Sequence, residues 1–424
     1  MSRDLPRLES PVEIVAMGAQ GDGIAETAHG RLFVPFALPG ERVACEIQGR
    51  RGEGWTARLT GIETPSPLRR PPPCPHFGTC GGCMMQHADA GMYRGWKRGL
   101  VETALRQRGL EMPAEAPLIA TAPNARRRAR FAALRDDHGL RLGFHAPESA
   151  EVVAISECRV VTPGLAAQLG LLRDLAAAAL TAGQSAVVTA TETETGLDVL
   201  ITGSRKLERR RALTEAASKA PIARLCWQEG RGEPEPLVQH AAPLVHFGGV
   251  AVALPPDAFL QPSAEGEVAL VEAVTRLTAK AKSIADLYAG CGTFTFPLAR
   301  IGKVAAFEAS KPAVAAVTSA ANHAGLAGRV TATVRNLDSS PLPPEELKRF
   351  DCVVFDPPRA GAKTQAEMLA RSRVKRVVAV SCNPTTFARD ARILVDAGFA
   401  LEDLVAVDQF VWSAHVEVVA AFKR

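Results

Sequence analysis

No apolar run in this 424-residue chain is long enough to cross a bilayer. The first ten residues, Met1 to Ser10, are polar and charged and contain no apolar core, so no secretory signal is expected. There is also no internal repeat and no low-complexity tract, which excludes stacked-repeat and linker-like architectures. Nine cysteines, an odd number in a chain without a signal, do not describe a secreted disulfide framework. Together these absences leave a cytoplasmic protein with no membrane partner. With 47% hydrophobic and 22% charged residues the chain has the composition of a folded protein, and its length is too great for one core, so two or three domains are expected.

The net charge of +5 is unevenly spread. Residues 64–135 carry twelve Lys/Arg against four Asp/Glu, an excess of +8 that leaves the remainder at −3. The densest run is Arg126-Arg127-Arg128-Ala129-Arg130. Such a stretch suits a polyanion such as nucleic acid, and it equally suits a solvated basic face.

Along the chain, residues 9–63 alternate short β-type runs with Gly/Pro turns, the pattern of a small β-barrel. The glycine turn followed by "FVPFALPGE" resembles the TRAM domain, an RNA-binding barrel of RNA-modifying enzymes. A proline-rich linker over 64–73 leads to Cys74, Cys80 and Cys83 in a Pro/Gly/Thr loop, where no helix or strand period prevents thiolates from converging on a metal. Cys158 is the nearest later cysteine. Tetrahedral zinc and a four-iron cluster both fit four thiolates. The x5-x2 spacing differs from the tighter x3-x2 motif with which radical enzymes hold a cluster with an open iron. A helix is expected over 84–110 and another near 163–182, within a mixed α+β region over 118–255.

From about residue 257 the pattern becomes α/β. A helix over 264–280 precedes strands at 283–289, 303–308, 330–335, 351–356 and 376–382, which predicts a doubly wound parallel sheet. Two closely spaced strands, 404–410 and 415–422, suggest an antiparallel hairpin at the sheet edge. Three strand ends carry chemistry, and in open α/β sheets the carboxyl ends of the strands face the ligand crevice. The first is Asp286-Leu287-Tyr288-Ala289-Gly290-Cys291-Gly292, where glycines allow backbone to approach a cofactor. Thr295 replaces the third glycine of a dinucleotide fingerprint and no phosphate-loop lysine follows, so a nucleoside without a pyrophosphate fits better. Glu308 ends the next strand, where a carboxylate can hold ribose hydroxyls. This loop and acid resemble class I S-adenosylmethionine methyltransferases. The second strand end is Asp356-Pro357-Pro358-Arg359, and the third is Val380-Ser381-Cys382-Asn383-Pro384.

A thiol beside a methyl donor points to carbon methylation. C5 of uracil is a poor nucleophile until a thiolate adds at C6, and a base must then remove the C5 proton. Glu417, a carboxylate inside an apolar run, is the candidate base, since burial would raise its basicity. Taken alone, Cys382 reads more readily as a buried core cysteine and Glu417 as a surface charge on an alternating edge strand; their company shifts that balance.

Considered together, the barrel, the cysteines, Phe259-Leu260-Gln261-Pro262, the cofactor loop, D-P-P-R-A-G, S-C-N-P-T-T and H-V-E resemble the RNA 5-methyluridine methyltransferase family, in its large-subunit (23S) rRNA branch, over essentially the whole chain. The resemblance implies a TRAM-like RNA-binding barrel over 1–63, an iron–sulfur-binding central domain over 64–256 and a class I (Rossmann-like) methyltransferase domain over 257–424. It implies Cys382 as nucleophile and Glu417 as proton acceptor. Gln261, Tyr288, Glu308, Asn336 and Asp356 would contact S-adenosylmethionine, and Phe259 would stack on the target uracil. Cys74, Cys80, Cys83 and Cys158 would hold a [4Fe-4S] cluster. Tyr288 and Thr293 stand where relatives often have Phe and Asn. The expected product is 5-methyluridine in structured RNA, with a monomer as the expected state. Three alternatives remain: the same reaction on tRNA, methylation of a base nitrogen, and a non-catalytic zinc-containing RNA-binding protein.

Overall fold

The computed structural model describes residues 5, 6, 8, 11–278 and 280–424; most of the Met1–Ser10 segment, and Ala279 within the helix expected over 264–280, lie outside the described residues. The chain separates into two compact units. One comprises Met1–Leu100, His145–Glu151 and Phe410–His415; the other comprises Val101–Phe144, Val152–Gln409 and Val416–Arg424.

In the first unit, six strands follow the order Val12–Glu13, Arg42–Arg51, Gly54–Thr64, Gly30–Pro35, Asp22–Thr27 and Ala16–Met17. Val12–Glu13 pairs with one end of this sheet and Ala16–Met17 with the other. One short extended segment thus joins both edges, which closes the sheet into the small barrel expected from sequence. Strict alternation makes this possible: Val43, Cys45 and Ile47 point inward while Arg42 and Glu46 face water. The helix expected over 84–110 is shorter, Ala90–Arg106. The residues before it are held otherwise, with His87 accepting from the Arg70 amide and Asp89 Oδ1 capping the Gly91 amide. On this helix Lys97 is fully buried, its ammonium donating to the carbonyls of Phe410 (3.1 Å) and His415.

The second unit contains two large sheets. A seven-stranded one runs Val152–Ala154, Gly139–His145, Arg128–Asp136, Ser185–Thr193, Gly196–Gly203, Ile222–Glu229 and Glu235–Gln239. Its apolar face shares a core with the helices Pro163–Ala167, Leu169–Ala179 and Arg210–Ser218. The single helix expected near 163–182 is broken at Gln168 and ends where Leu180 turns extended.

The eight-stranded sheet bears the α/β architecture. Its order is Val330–Val334, Lys303–Glu308, Ser283–Leu287, Cys352–Phe355, Arg376–Ser381, Glu417–Lys423, Ala400–Asp408 and Leu118–Ala120. The first five strands are parallel, as expected. The antiparallel hairpin is present but not at the edge. Glu417–Lys423 is inserted between Arg376–Ser381 and Ala400–Asp408, and the remote Leu118–Ala120 supplies the edge strand. The physical reason lies in composition: Glu417 through Phe422 are all buried, the signature of a strand covered on both faces.

Candidate active site

Parallel register aligns the carboxyl ends of three neighbouring strands. Leu287 pairs with Phe355, and Phe355 with Ala379, so the loops opening at Tyr288, Asp356 and Cys382 emerge on one rim of the sheet. Ser381 pairs with Val418, which brings Glu417 to the same rim beside Cys382. The insertion of the last strand therefore matters chemically, because an edge hairpin would not set this acid next to the thiol.

Cys382 lies between a buried strand and the Pro384–Asp396 helix, whose first turn Asn383 caps by accepting from the Thr385 amide at 3.1 Å. A helix N-terminus favours a thiolate. Here other effects dominate: burial, then the Glu417 and Asp356 carboxylates, push the half-buried thiol up to about 12, with Arg359 opposing them. Burial raises Glu417 well above the ordinary carboxylate range, opposed by a hydrogen bond from Gln409 Nε2 to its Oε1 at 3.1 Å. Asp356 is lifted by burial first and then by Glu417 and Asp286. Three acidic groups and a thiol thus share a poorly hydrated rim, where proton positions are set by whatever charge enters next.

The cofactor loop has the strain and openings that close backbone approach requires. Tyr288 adopts φ +60, unusual for a bulky residue, and its hydroxyl donates to Asp338 Oδ1 at 3.2 Å. A side chain at Gly290 would meet no atom within 4 Å, so the space above this backbone is open. At Gly292, φ is +98 and a Cβ would strike the Phe296 ring at 2.6 Å. Glu308 reaches back to the loop, its carboxylate accepting from the Gly290 amide (3.0 Å) and the Ser310 amide (2.8 Å). Asp286 is sealed below, accepting from Thr295 Oγ1 at 2.5 Å. Gln261 is buried and its Oε1 accepts from Gln409 Nε2 at 2.7 Å, whereas Phe259, two residues away, is 57% exposed.

The expected site residues of the second unit therefore fall into two groups. Cys382, Glu417 and Asp356 share one electrostatic cluster, and Gln261 is linked to it through Gln409. Tyr288 and Glu308 belong to the glycine loop beside it. Asn336 is exposed, and its amide oxygen is used in a turn, accepting from the amides of Asp338 and Ser339. Asp338, not Asn336, is the residue that touches Tyr288. Asp338 and Gln409 carried no signal in the sequence, and Arg127, which donates to the Gln261 carbonyl at 3.1 Å, was noted there only as part of the basic run.

Cys74, Cys80 and Cys83 lie on a turn-rich loop of the first unit, and Cys158 lies in the second. All four are half-buried and outside any disulfide. The Gly82 amide donates to Cys80 Sγ at 3.4 Å. Among the described residues no three His, Cys, Asp or Glu side chains are gathered closely enough to hold a metal ion.

Residues 251–424 match the model of a family described as tRNA (uracil-5-)-methyltransferase. Over nearly its full length the chain is similar to an uncharacterized RNA methyltransferase of Rhizobium meliloti: 42% identical, covering 97% of this chain and 99% of the relative. It is 32% identical to the 23S rRNA (uracil(1939)-C(5))-methyltransferase of Pectobacterium atrosepticum, covering 99% of this chain and 94% of that one. Among solved structures it resembles the Pyrococcus abyssi tRNA (uracil-54, C5)-methyltransferase in complex with S-adenosyl-L-homocysteine. That match has a TM-score of 0.76 at 23% identity, covers 97% and 100% of the two chains, and bears on the fold.

Proposed function

We infer the chemistry from one premise: the chain belongs to the RNA (uracil-5-)-methyltransferase family. It is an S-adenosylmethionine-dependent RNA methyltransferase acting at uracil C5. We propose that its substrate is large-subunit rRNA and that Cys382 and Glu417 carry the reaction. The observation that supports these roles best is the adjacency of the Cys382 thiol and the buried Glu417 carboxylate on neighbouring strands.

When bound, S-adenosylmethionine supplies an electrophilic methyl group. Asp356, Glu308, Tyr288, Gln261 and Asn336 are the residues we assign to hold it; the open backbone above Gly290 and the carboxylate of Glu308 suit a ribose-bearing ligand. Cys382, which the positive charge of the bound sulfonium would favour as thiolate with its proton passing to solvent, forms a bond to uracil C6 and pushes the C5–C6 electron pair toward C5, which takes the methyl group as the methyl–sulfur bond breaks and leaves a neutral thioether. Glu417 removes the C5 proton, the C5–C6 double bond re-forms, and the Cys382–C6 bond breaks to release the thiolate. The exposed Phe259 suits stacking on a base drawn out of its helix.

The rRNA assignment is supported by the full-length relative whose name specifies 23S rRNA. The tRNA alternative rests on the family description and the similar fold. Offering labelled S-adenosylmethionine with unmodified large-subunit rRNA and tRNA, then identifying the product nucleoside by mass spectrometry, separates the two. We expect 5-methyluridine in the rRNA and none with Cys382→Ala; product from that variant would overturn the nucleophile, and label only in tRNA would overturn the substrate.

We also propose that Cys74, Cys80, Cys83 and Cys158 hold a [4Fe-4S] cluster. The support is the donor chemistry alone, half-buried thiols outside any disulfide being donors that iron takes; among the described residues they are not gathered to metal-binding distance. Anaerobically purified protein should contain about four iron and four inorganic sulfide per chain. Stoichiometric zinc without sulfide would overturn this.

A further inference from the structure

Gln409 has no role in the chemistry described so far, yet it is the side chain that joins two of its parts. It follows the Ala400–Asp408 strand directly and is 2% exposed. Its single amide nitrogen donates to Gln261 Oε1 at 2.7 Å and to Glu417 Oε1 at 3.1 Å. Both N–H bonds are thereby committed, one toward the cofactor side and one toward the base. This fixes the amide orientation and leaves Gln409 Oε1 buried with no hydrogen-bond partner among the described residues. An uncompensated buried acceptor is costly, so the two donated bonds outweigh it.

The fold makes room for this side chain. Gly266 lies in the first turn of the Ala264–Thr278 helix, and a Cβ there would lie 2.6 Å from both Gln409 Cβ and Gln409 Oε1. The Gln261 end is fixed independently. Arg127 donates through Nε to the Gln261 carbonyl, its amide donates to the Pro262 carbonyl at 2.7 Å, and its guanidinium is anchored on Glu267 at 2.6 Å. The chain Arg127, Gln261, Gln409, Glu417 is thus continuous at hydrogen-bond distance across the second unit.

We propose that Gln409 is a positioning residue for methylation, holding the Glu417 carboxylate in register with Gln261 so that base and cofactor site are aligned as one group. This rests on the assignment of Glu417 as the base. A neutral donor to a buried carboxylate favours its charged form, so Gln409 also keeps Glu417 competent to accept a proton at lower pH than burial alone would allow.

The test uses the full-length holoenzyme with its RNA and follows three readouts: the first-turnover methyl-transfer burst, the RNA–protein adduct surviving denaturation, and the pH profile of product release. Gln409→Met keeps length and apolar fit but removes both donors. We expect a near-normal burst, release slowed roughly 10- to 100-fold, adduct accumulation, and a release profile displaced to higher pH. Gln409→Asn, one methylene shorter, cannot span both acceptors and should give the same pattern if Gln409→Met does not fold. Glu417→Gln is run beside them. If it traps adduct while both Gln409 variants release product with the wild-type pH profile, the positioning role is overturned and the base assignment stands. If Glu417→Gln releases product normally, both fall. A uniform loss in burst and release, without adduct or pH displacement, assigns Gln409 a merely structural role and overturns the proposal.

Discussion

Asp286 sits beneath the cofactor loop with its carboxyl pushed up to about 7, by burial first and by Glu308 in addition, with the Thr295 hydrogen bond opposing. The folded chain therefore binds this proton more tightly than the unfolded chain, where the ordinary value is 3.8. Stability contributed by that proton is complete below the unfolded value and is lost as pH rises through the folded one. Wild-type unfolding temperature should thus fall between about pH 4 and pH 7 more steeply than that of Asp286→Asn, which keeps an acceptor for Thr295 and carries no titrating proton. At about 1.4 kcal/mol per unit the difference is at most a few kcal/mol. Parallel melting curves for the two proteins across that range would contradict the assignment. Single residues also show what sequence reading reaches. Cys382 and Glu417 could be singled out as candidates only in company, Cys382 just past one apolar strand and Glu417 at the start of another, within motifs that resemble a known family. Gln409 was not, because a glutamine at a strand end acquires meaning only through Gln261, 148 positions away. Asn336 was expected to contact the cofactor on the strength of the resemblance; in the structure it is exposed with its amide oxygen used in a turn, and Tyr288 meets Asp338 instead.

Elements were legible wherever a period or a stop residue marked them. The five parallel strands lie within one or two residues of their expected spans, since each is a short, largely apolar run that stops at a turn or polar residue. What no local pattern encodes is the neighbour a strand chooses. The two last strands read correctly as an antiparallel pair, but a pair can join a sheet by either member. The longer buried run, Glu417 through Phe422, can satisfy both of its faces and both of its backbone edges only inside the sheet. Leu118–Ala120, three residues drawn from far upstream, then covers the exposed edge of Ala400–Asp408. The helix near 163–182 failed for the opposite reason. Its alanine- and leucine-rich composition promises continuity, yet the backbone leaves helical geometry at Gln168 and restarts at Leu169.

At the level of the whole chain, the charge asymmetry that first suggested a polyanionic partner shrinks once partners are visible. Of the twelve cations in residues 64–135, Arg69, Arg70, Arg127 and Arg128 form ion pairs with Glu41, Asp89, Glu267 and Asp257. Lys97 is buried against backbone carbonyls, Arg135 donates to those of Ala177 and Leu180, and Arg98 and Arg126 are half-buried. Arg94, Arg106, Arg108 and Arg130 are exposed and outside any ion pair among the described residues. A cation already neutralised or dehydrated within the fold releases few counterions on meeting a phosphate, so these four set the electrostatic part of RNA binding. With about 0.7 counterions released per phosphate contact, four contacts predict a log–log salt slope of about −3, hence roughly fifty-fold weaker binding between about 50 and 200 mM salt. Had all eight excess charges in the sequence been available, the slope would approach about −6 and the loss would exceed about a thousandfold. Filter binding of unmodified rRNA across that salt range distinguishes the two, and a slope near zero would mean that the basic stretch serves the fold alone. Replacing Arg106, Arg108 and Arg130 together should flatten the slope by about two while leaving single-turnover methylation at saturating RNA unchanged. Phosphate contacts of this kind orient an RNA without reading its sequence, and on the proposed assignment selection of the uridine would fall to Phe259 and the thiol rim.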